Sequence, residues 1–147
     1  MLRQFKVILC PTDFSEESYH AIEYGLAFAK ISDGGLLLAH ILHNPTSELF
    51  HPEGYYLSFE QAKTRAQGML EEIRDKRLGG YSKCELFVDI GEPYEQLMAL
   101  ATRRKVDLIV TATKGRSAIE HLLVGSVADK IIRHAACPVF VVRRGAD

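Results

Sequence analysis

The sequence has only three cysteines, Cys10, Cys84 and Cys137, an odd number spread widely along 147 residues. That excludes a disulfide framework, and because each lies in or beside an apolar run the set fits reduced structural thiols. Six histidines are present without HExxH or a comparable ligand spacing, so no metal held by protein groups alone is expected. An excess of charge is missing too. Lys and Arg number 18 against 19 Asp and Glu, a net charge of -1, which leaves no basic footprint for nucleic acid. No apolar run approaches the roughly 20 residues of a membrane helix, and no lipidation motif occurs. The opening MLRQFKVILCPTDF runs into Pro-Thr-Asp where a signal peptide would continue. The expectation is a cytoplasmic protein with neither a membrane nor a nucleic-acid partner.

What is present is the pattern of one globular domain, 1–147, with 47% hydrophobic and 25% charged residues and length enough for a substantial core. Phe5 to Cys10 (FKVILC) is a short β-branched run, a buried strand followed by the turn Pro11-Thr12-Asp13. Ser15 caps the next helix, with Glu16 and Glu17 in its first turn, Ile22, Leu26 and Ala29 inward, and Asp33-Gly34-Gly35 as its stop. Leu36 to Leu42 is apolar throughout and so buried on both faces. A long loop, His43 to Ser58, precedes an amphipathic helix with Phe59, Ala62, Ala66, Met69, Leu70 and Ile73 inward, ending near Gly79-Gly80. Strand Cys84 to Ile90 leads through Gly91 to a helix that begins at Pro93 and turns Leu97, Leu100 and Ala101 inward.

Val106 to Ala112 is the fourth strand. Ser117 and Glu120 have capping-box spacing for a short helical turn. Ser126 and Asp129 repeat that spacing for the last helix, with Val127, Ile131 and Ile132 inward. Pro138 to Val142 closes a βαβαβαβαβ order. This alternation, with strands that are continuous apolar runs, predicts an α/β fold: a doubly wound five-stranded parallel sheet with helices on both faces. Such a sheet takes ligands outside the carboxyl ends of its strands, where the winding reverses. If strands one and four flank that point, Pro11-Thr12-Asp13 faces the loop 112–126.

The common nucleotide loops are absent. GxxxxGK[ST] does not occur, Pro-Thr-Asp-Phe-Ser stands where GxGxxG would follow the first strand, and Gly115-Arg116-Ser117 lacks the closing glycine of GxSxG. A two-glycine loop remains in DLIVTATKGRSAIEHLLVGS. Gly115 permits positive φ and close backbone approach, Gly125-Ser126 offers main-chain N–H groups at a helix start, and Lys114 and Arg116 add positive charge. The set suits a phosphate; equally, the glycines make turns and Ser126 caps a helix.

The turn Pro11-Thr12-Asp13-Phe14-Ser15, the pair His40-Ile41, and the close Leu122-Leu123-Val124-Gly125-Ser126 followed by Cys137-Pro138-Val139-Phe140-Val141-Val142 together resemble the universal stress protein family over essentially the whole chain. The fold this implies is Rossmann-like, of the adenine nucleotide alpha hydrolase-like kind. ATP-binding members carry G-x2-G-x9-G-[ST]; the same frame here is Ala112-x2-Gly115-x9-Gly125-Ser126, a departure at its first glycine. Residue by residue, the resemblance implies that Asp13, in one turn with Pro11 and Thr12, accepts hydrogen bonds from the adenine or ribose side. Ile41 would give backbone groups and apolar contact to the adenine, and Ala112 would approach the ribose. Gly115, Arg116, Gly125, Ser126 and Val127 would hold phosphates bridged by Mg²⁺.

The residues alone leave other roles open: an Asx turn for Asp13, core packing for Ile41, capping for Ser126. Phe50, Tyr55, Tyr56 and Phe59 are either a lid over the base or satellite packing, and His43 and His51 are expected as solvated loop residues. The resemblance implies an ATP-binding regulatory protein of the stress response, with AMP or ADP as alternative ligands. At most slow hydrolysis is expected, since no base, second carboxylate or arginine finger is visible. A nucleotide-free dimeric interaction module and a nucleotidyl or phosphoryl transferase are the alternatives. Pro138 to Val142 would leave an apolar sheet edge to be covered, and the resemblance implies a homodimer paired through it.

Overall fold

A computed structural model describes residues 4–43, 49, 51–114 and 124–143. The strands are β1 Val7–Pro11, β2 Gly35–Leu42, β3 Cys84–Ile90, β4 Leu108–Ala112 and β5 Val139–Val142; the helices are α1 Glu16–Ser32, α2 Phe59–Glu72, α3 Pro93–Arg103 and α4 Ser126–His134. All strand pairs are parallel, in the order β3-β2-β1-β4-β5. The chain winds outward from β1 to β3, then crosses back to β4 and β5. The winding therefore reverses between β1 and β4, the flanking pair anticipated from the sequence.

Successive strand residues face opposite sides of the sheet. Ile8, Cys10, Leu36, Leu38 and Val110 pack with α1 and α2, while Leu9, Leu37, Ile41 and Ile109 pack with α3 and α4. Burying one such aliphatic side chain contributes about 1.5–3 kcal/mol, against a strand-propensity range of about 1 kcal/mol. Two-sided burial is thus what selects strand for these runs.

The contact between β1 and β4 is short. Its register pairs Ile8 with Leu108 and Leu9 with Ile109, whereas β1 pairs with β2 from Val7 to Pro11. At the amino end, Asp107 Oδ2 accepts from the N–H groups of Lys6 (2.9 Å) and Val7 (3.0 Å), and its own N–H donates to Val7 O at 2.9 Å.

Ser15 caps α1 as expected, its hydroxyl accepting from Ser18 N–H. The stop differs in detail: the left-handed residue is Asp33 (φ 51°), and Gly34 is required because a Cβ there would lie 2.1 Å from Phe5 O. Pro93 opens α3 with Glu92 as its cap, and Leu97 and Leu100 are buried. Ser58 and Gln61 form a capping box for α2, which continues into a π-helical turn, Ile73–Arg77. Ala62, Ala66, Leu70 and Ile73 of that stretch are buried, but Phe59 is 55% exposed. In α4, Ile131 is buried and Ile132 is 45% exposed. Both exceptions are ends of an apolar stripe that the helical period carries out of the interface. At the β5 edge, Phe140 packs against Phe28 (ring centroids 5.0 Å) and Tyr24 (5.7 Å) of α1 while remaining partly exposed. Among the described residues, no helix is long and apolar enough to cross a membrane.

Candidate functional site

The carboxyl end of β1 is organised by hydroxyls. Thr12 N–H extends the sheet by donating to Ala39 O at 2.9 Å. Thr12, Ser15 and Ser18 then stand three residues apart and converge. Ser18 Oγ donates to Ser15 O (2.8 Å), and its proton is thereby used; in the 2.7 Å pair of Thr12 and Ser18 the donor is therefore Thr12. Thr12 Oγ1 in turn accepts from Phe14 N–H at 2.9 Å. Asp13 Oδ1 accepts from both the N–H (3.1 Å) and the hydroxyl (2.5 Å) of Ser15, which is the Asx-turn role left open by the sequence.

This turn holds Phe14 at φ 65°, a left-handed conformation uncommon for a bulky residue. Its ring lies 4.4 Å from that of His40, which is 4% exposed at the end of β2. His40 Nδ1 is 2.7 Å from Thr12 O. A carbonyl only accepts, so Nδ1 carries the proton in that bond.

The carboxyl end of β4 is built from main chain instead. Ala112 is buried and aligned with Val142 of β5, and Thr113 N–H donates to Val142 O at 3.1 Å. Gly125 N–H returns the chain to the same point by donating to Thr113 O at 2.6 Å. Gly125, not Ser126, is the N-cap of α4, with φ -73° and ψ 163° and no side-chain cap bond. This corrects the expected capping box. Ser126 is the first helical residue and is exposed, while Asp129 pairs with Arg133 at 3.1 Å. The first helical bond runs from Asp129 N–H to Gly125 O (2.9 Å), so the N–H groups of Ser126, Val127 and Ala128 precede it and point out of the helix end.

The predicted residues are therefore brought to one edge in part. Pro11, Thr12, Asp13 and Ala112 end the two strands at the winding reversal, and Gly125, Ser126 and Val127 are carried there by the Gly125–Thr113 bond. The left-handed non-glycine residues among those described are Phe14, Asp33 and Lys105, so Ala112 has ordinary strand backbone. Ile41 is 6% exposed and its side chain packs in the core with residues of α3 and α4. Gly115, Arg116, the Ser117 and Glu120 turn and Phe50 lie outside the described residues. Tyr55 and Tyr56 are exposed, and His51 stacks on Tyr55 (4.5 Å, 9°) and accepts from Glu53 N–H, so His51 is not merely solvated.

The thiols offer no nucleophile. Burial pushes Cys10 far up, Cys84 up to about 11, and Cys137 upward, so all three stay protonated at neutral pH. Among the described residues no group of three or more His, Cys, Asp or Glu gathers to hold a metal ion. Sequence reasoning missed the hydroxyl hub and the reach of His40 into it. The three-residue spacing of Thr12, Ser15 and Ser18 was the available signal for the hub.

A family model described as "Universal stress protein family" matches residues 4–143. A universal stress protein of Methanocaldococcus jannaschii is 30% identical over 141 residues, covering 95% of this chain and 83% of that protein. Two solved structures share the fold. One is a universal stress protein in complex with cAMP, with TM-score 0.73, 22% identity, and 96% and 99% of the two chains covered. The other is the universal stress protein from Archaeoglobus fulgidus in complex with dAMP, with TM-score 0.60, 19% identity, and 97% and 100% covered.

Proposed function

The chain belongs to the universal stress protein family, and on that premise we propose that it is a cytoplasmic, adenine-nucleotide-binding regulatory protein of the stress response. Its ligand is ATP, with Mg²⁺ bridging the phosphates and AMP or ADP as lesser ligands. The observation that carries this reading is the Gly125–Thr113 bond, which docks a helix start without a side-chain cap onto the end of β4, beside the winding reversal. Helix-end N–H groups and the helix dipole favour a phosphate. Ala112 fits the group, because its backbone is ordinary strand and needs no glycine. The two adenine-nucleotide complexes of this fold support the choice of base.

On this reading Asp13 meets the nucleoside, Gly115, Arg116, Gly125, Ser126 and Val127 hold the phosphates, and Mg²⁺ when bound neutralises their charge. Hydrolysis is slow at most. The three thiols are protonated and supply no activated nucleophile. Titration calorimetry with ATP, AMP and Mg²⁺ tests the proposal; no heat at millimolar nucleotide would replace it with the nucleotide-free dimeric module.

The protein pairs with a second copy through β5. The strand is a sheet edge, apolar, with Phe140 partly exposed, and pairing across a two-fold axis covers it. Light scattering at micromolar concentration should give twice 16.5 kDa; a monomer would refute the pairing.

A further inference from the structure

The buried histidine at the end of β2 has no part in the function proposed above. Three features converge on it. Its Nδ1–H is bonded to the main-chain carbonyl of Thr12 at 2.7 Å. Its ring lies against Phe14 at 4.4 Å, and Phe14 holds a left-handed φ of 65°. Thr12 is also the hub whose hydroxyl takes Phe14 N–H and donates to Ser18. Strained backbone persists only where its surroundings over-determine it. Between Thr12 and Ser15, two anchors belong to the turn and α1, and the third reaches across from the neighbouring strand.

We infer that His40 is a positioning residue: through the Thr12 carbonyl and the Phe14 ring it fixes the left-handed turn that aims the Asp13 carboxylate at the nucleoside end of the ligand. This deepens the nucleotide reading and rests on it. The two contacts of His40 that carry the inference, the Thr12 carbonyl and the Phe14 ring, both lie in the turn that holds Asp13. Loss of His40 therefore acts on the nucleoside end, equally for AMP and ATP.

Two substitutions separate its roles. His40→Leu keeps apolar bulk beside Phe14 and removes the donor. His40→Asn places an amide nitrogen where Nδ1 stood and removes the ring. Losing the donor leaves a buried carbonyl unsatisfied. His40→Leu is expected to weaken AMP and ATP binding alike by about tenfold, and His40→Asn to stay within about threefold of the natural chain. Affinity unchanged in His40→Leu, or lowered as far in His40→Asn, would overturn the inference. So would a loss confined to ATP.

A second readout needs no nucleotide. Hydrogen exchange of the Phe14 and Ser15 amides, whose acceptors are Thr12 Oγ1 and Asp13 Oδ1, should quicken about tenfold in His40→Leu and return toward the natural rate in His40→Asn. Unchanged exchange in His40→Leu overturns the positioning role even if the natural chain binds nothing. Faster exchange together with absent binding supports the role and refutes the nucleotide reading alone. If His40→Leu fails to fold, His40→Gln takes its place, because its donor sits one bond farther out and misses Thr12 O; parity of Gln and Asn would then overturn the inference.

Discussion

The carboxyl ends of β1 and β4 are neighbours at the winding reversal and are made of different materials. At β1 nearly every side chain from Thr12 to Ser18 is engaged: hydroxyl to hydroxyl, carboxylate to hydroxyl, imidazole to carbonyl. At β4 the joints are main chain to main chain, Thr113 to Val142 and Gly125 to Thr113, and the helix that begins there has no side-chain cap. A wall fixed by side chains is specific in shape and sensitive to sequence. A wall of amides is less particular about neighbours and presents partial positive charge. The first suits reading a base and sugar, the second holding an anion.

The comparison breaks most visibly if the amide wall is obstructed. Gly125→Val is expected to cut ATP affinity by at least about a hundredfold, close to 2.7 kcal/mol. Its φ of -73° and ψ of 163° suit a β-branched residue, so no backbone strain is added and thermal unfolding should register only the poorer N-cap, about 1 kcal/mol. Calorimetry showing unchanged affinity would remove Gly125 from the site.

On the opposite wall the larger cost falls on stability. Thr12→Val keeps the volume but strips the hub from Ser18 and from Phe14 N–H; urea denaturation should show a loss of about 1–3 kcal/mol. The matching change on the amide wall, Ser126→Ala, should move stability by no more than about 0.5 kcal/mol, since that hydroxyl is exposed and caps nothing. Equal losses from the two would dissolve the distinction. The smallest effect belongs to Ala112→Gly. Restoring the family's glycine should raise ATP affinity by at most about threefold while lowering stability by about 0.5–1 kcal/mol. A tenfold gain would mean that the methyl obstructs the ligand.

Fold and candidate site were legible to different degrees. Continuous apolar runs such as Leu36 to Leu42 announce strands buried on both faces, and Ser15-Glu16-Glu17 announces a helix start, because in each case neighbouring residues carry the physics. Ser126 and Asp129 misled for the same reason. Their spacing is that of a capping box, but Asp129 lies one turn before Arg133 and pairs with it, while Gly125 is held as the cap by its bond to Thr113. Ile132 and Phe59 are apolar by type yet rotate out of their interfaces, which only the packed helices reveal. His40 reaches a carbonyl 28 residues away in sequence, from β2 to the end of the neighbouring β1, and no local pattern encodes that reach.

The Asp107 clamp has a mechanical corollary. It ties the feet of β1 and β4 together, the paired register stops at Leu9 and Ile109, and from there to Pro11 and Ala112 the strands have no mutual ladder. The pair is a set of tongs with its rivet at the amino edge and its jaws at the carboxyl edge. Beyond the rivet each strand end takes its position from its outer neighbour, β1 from β2 as far as Pro11 and β4 from β5 as far as Ala112.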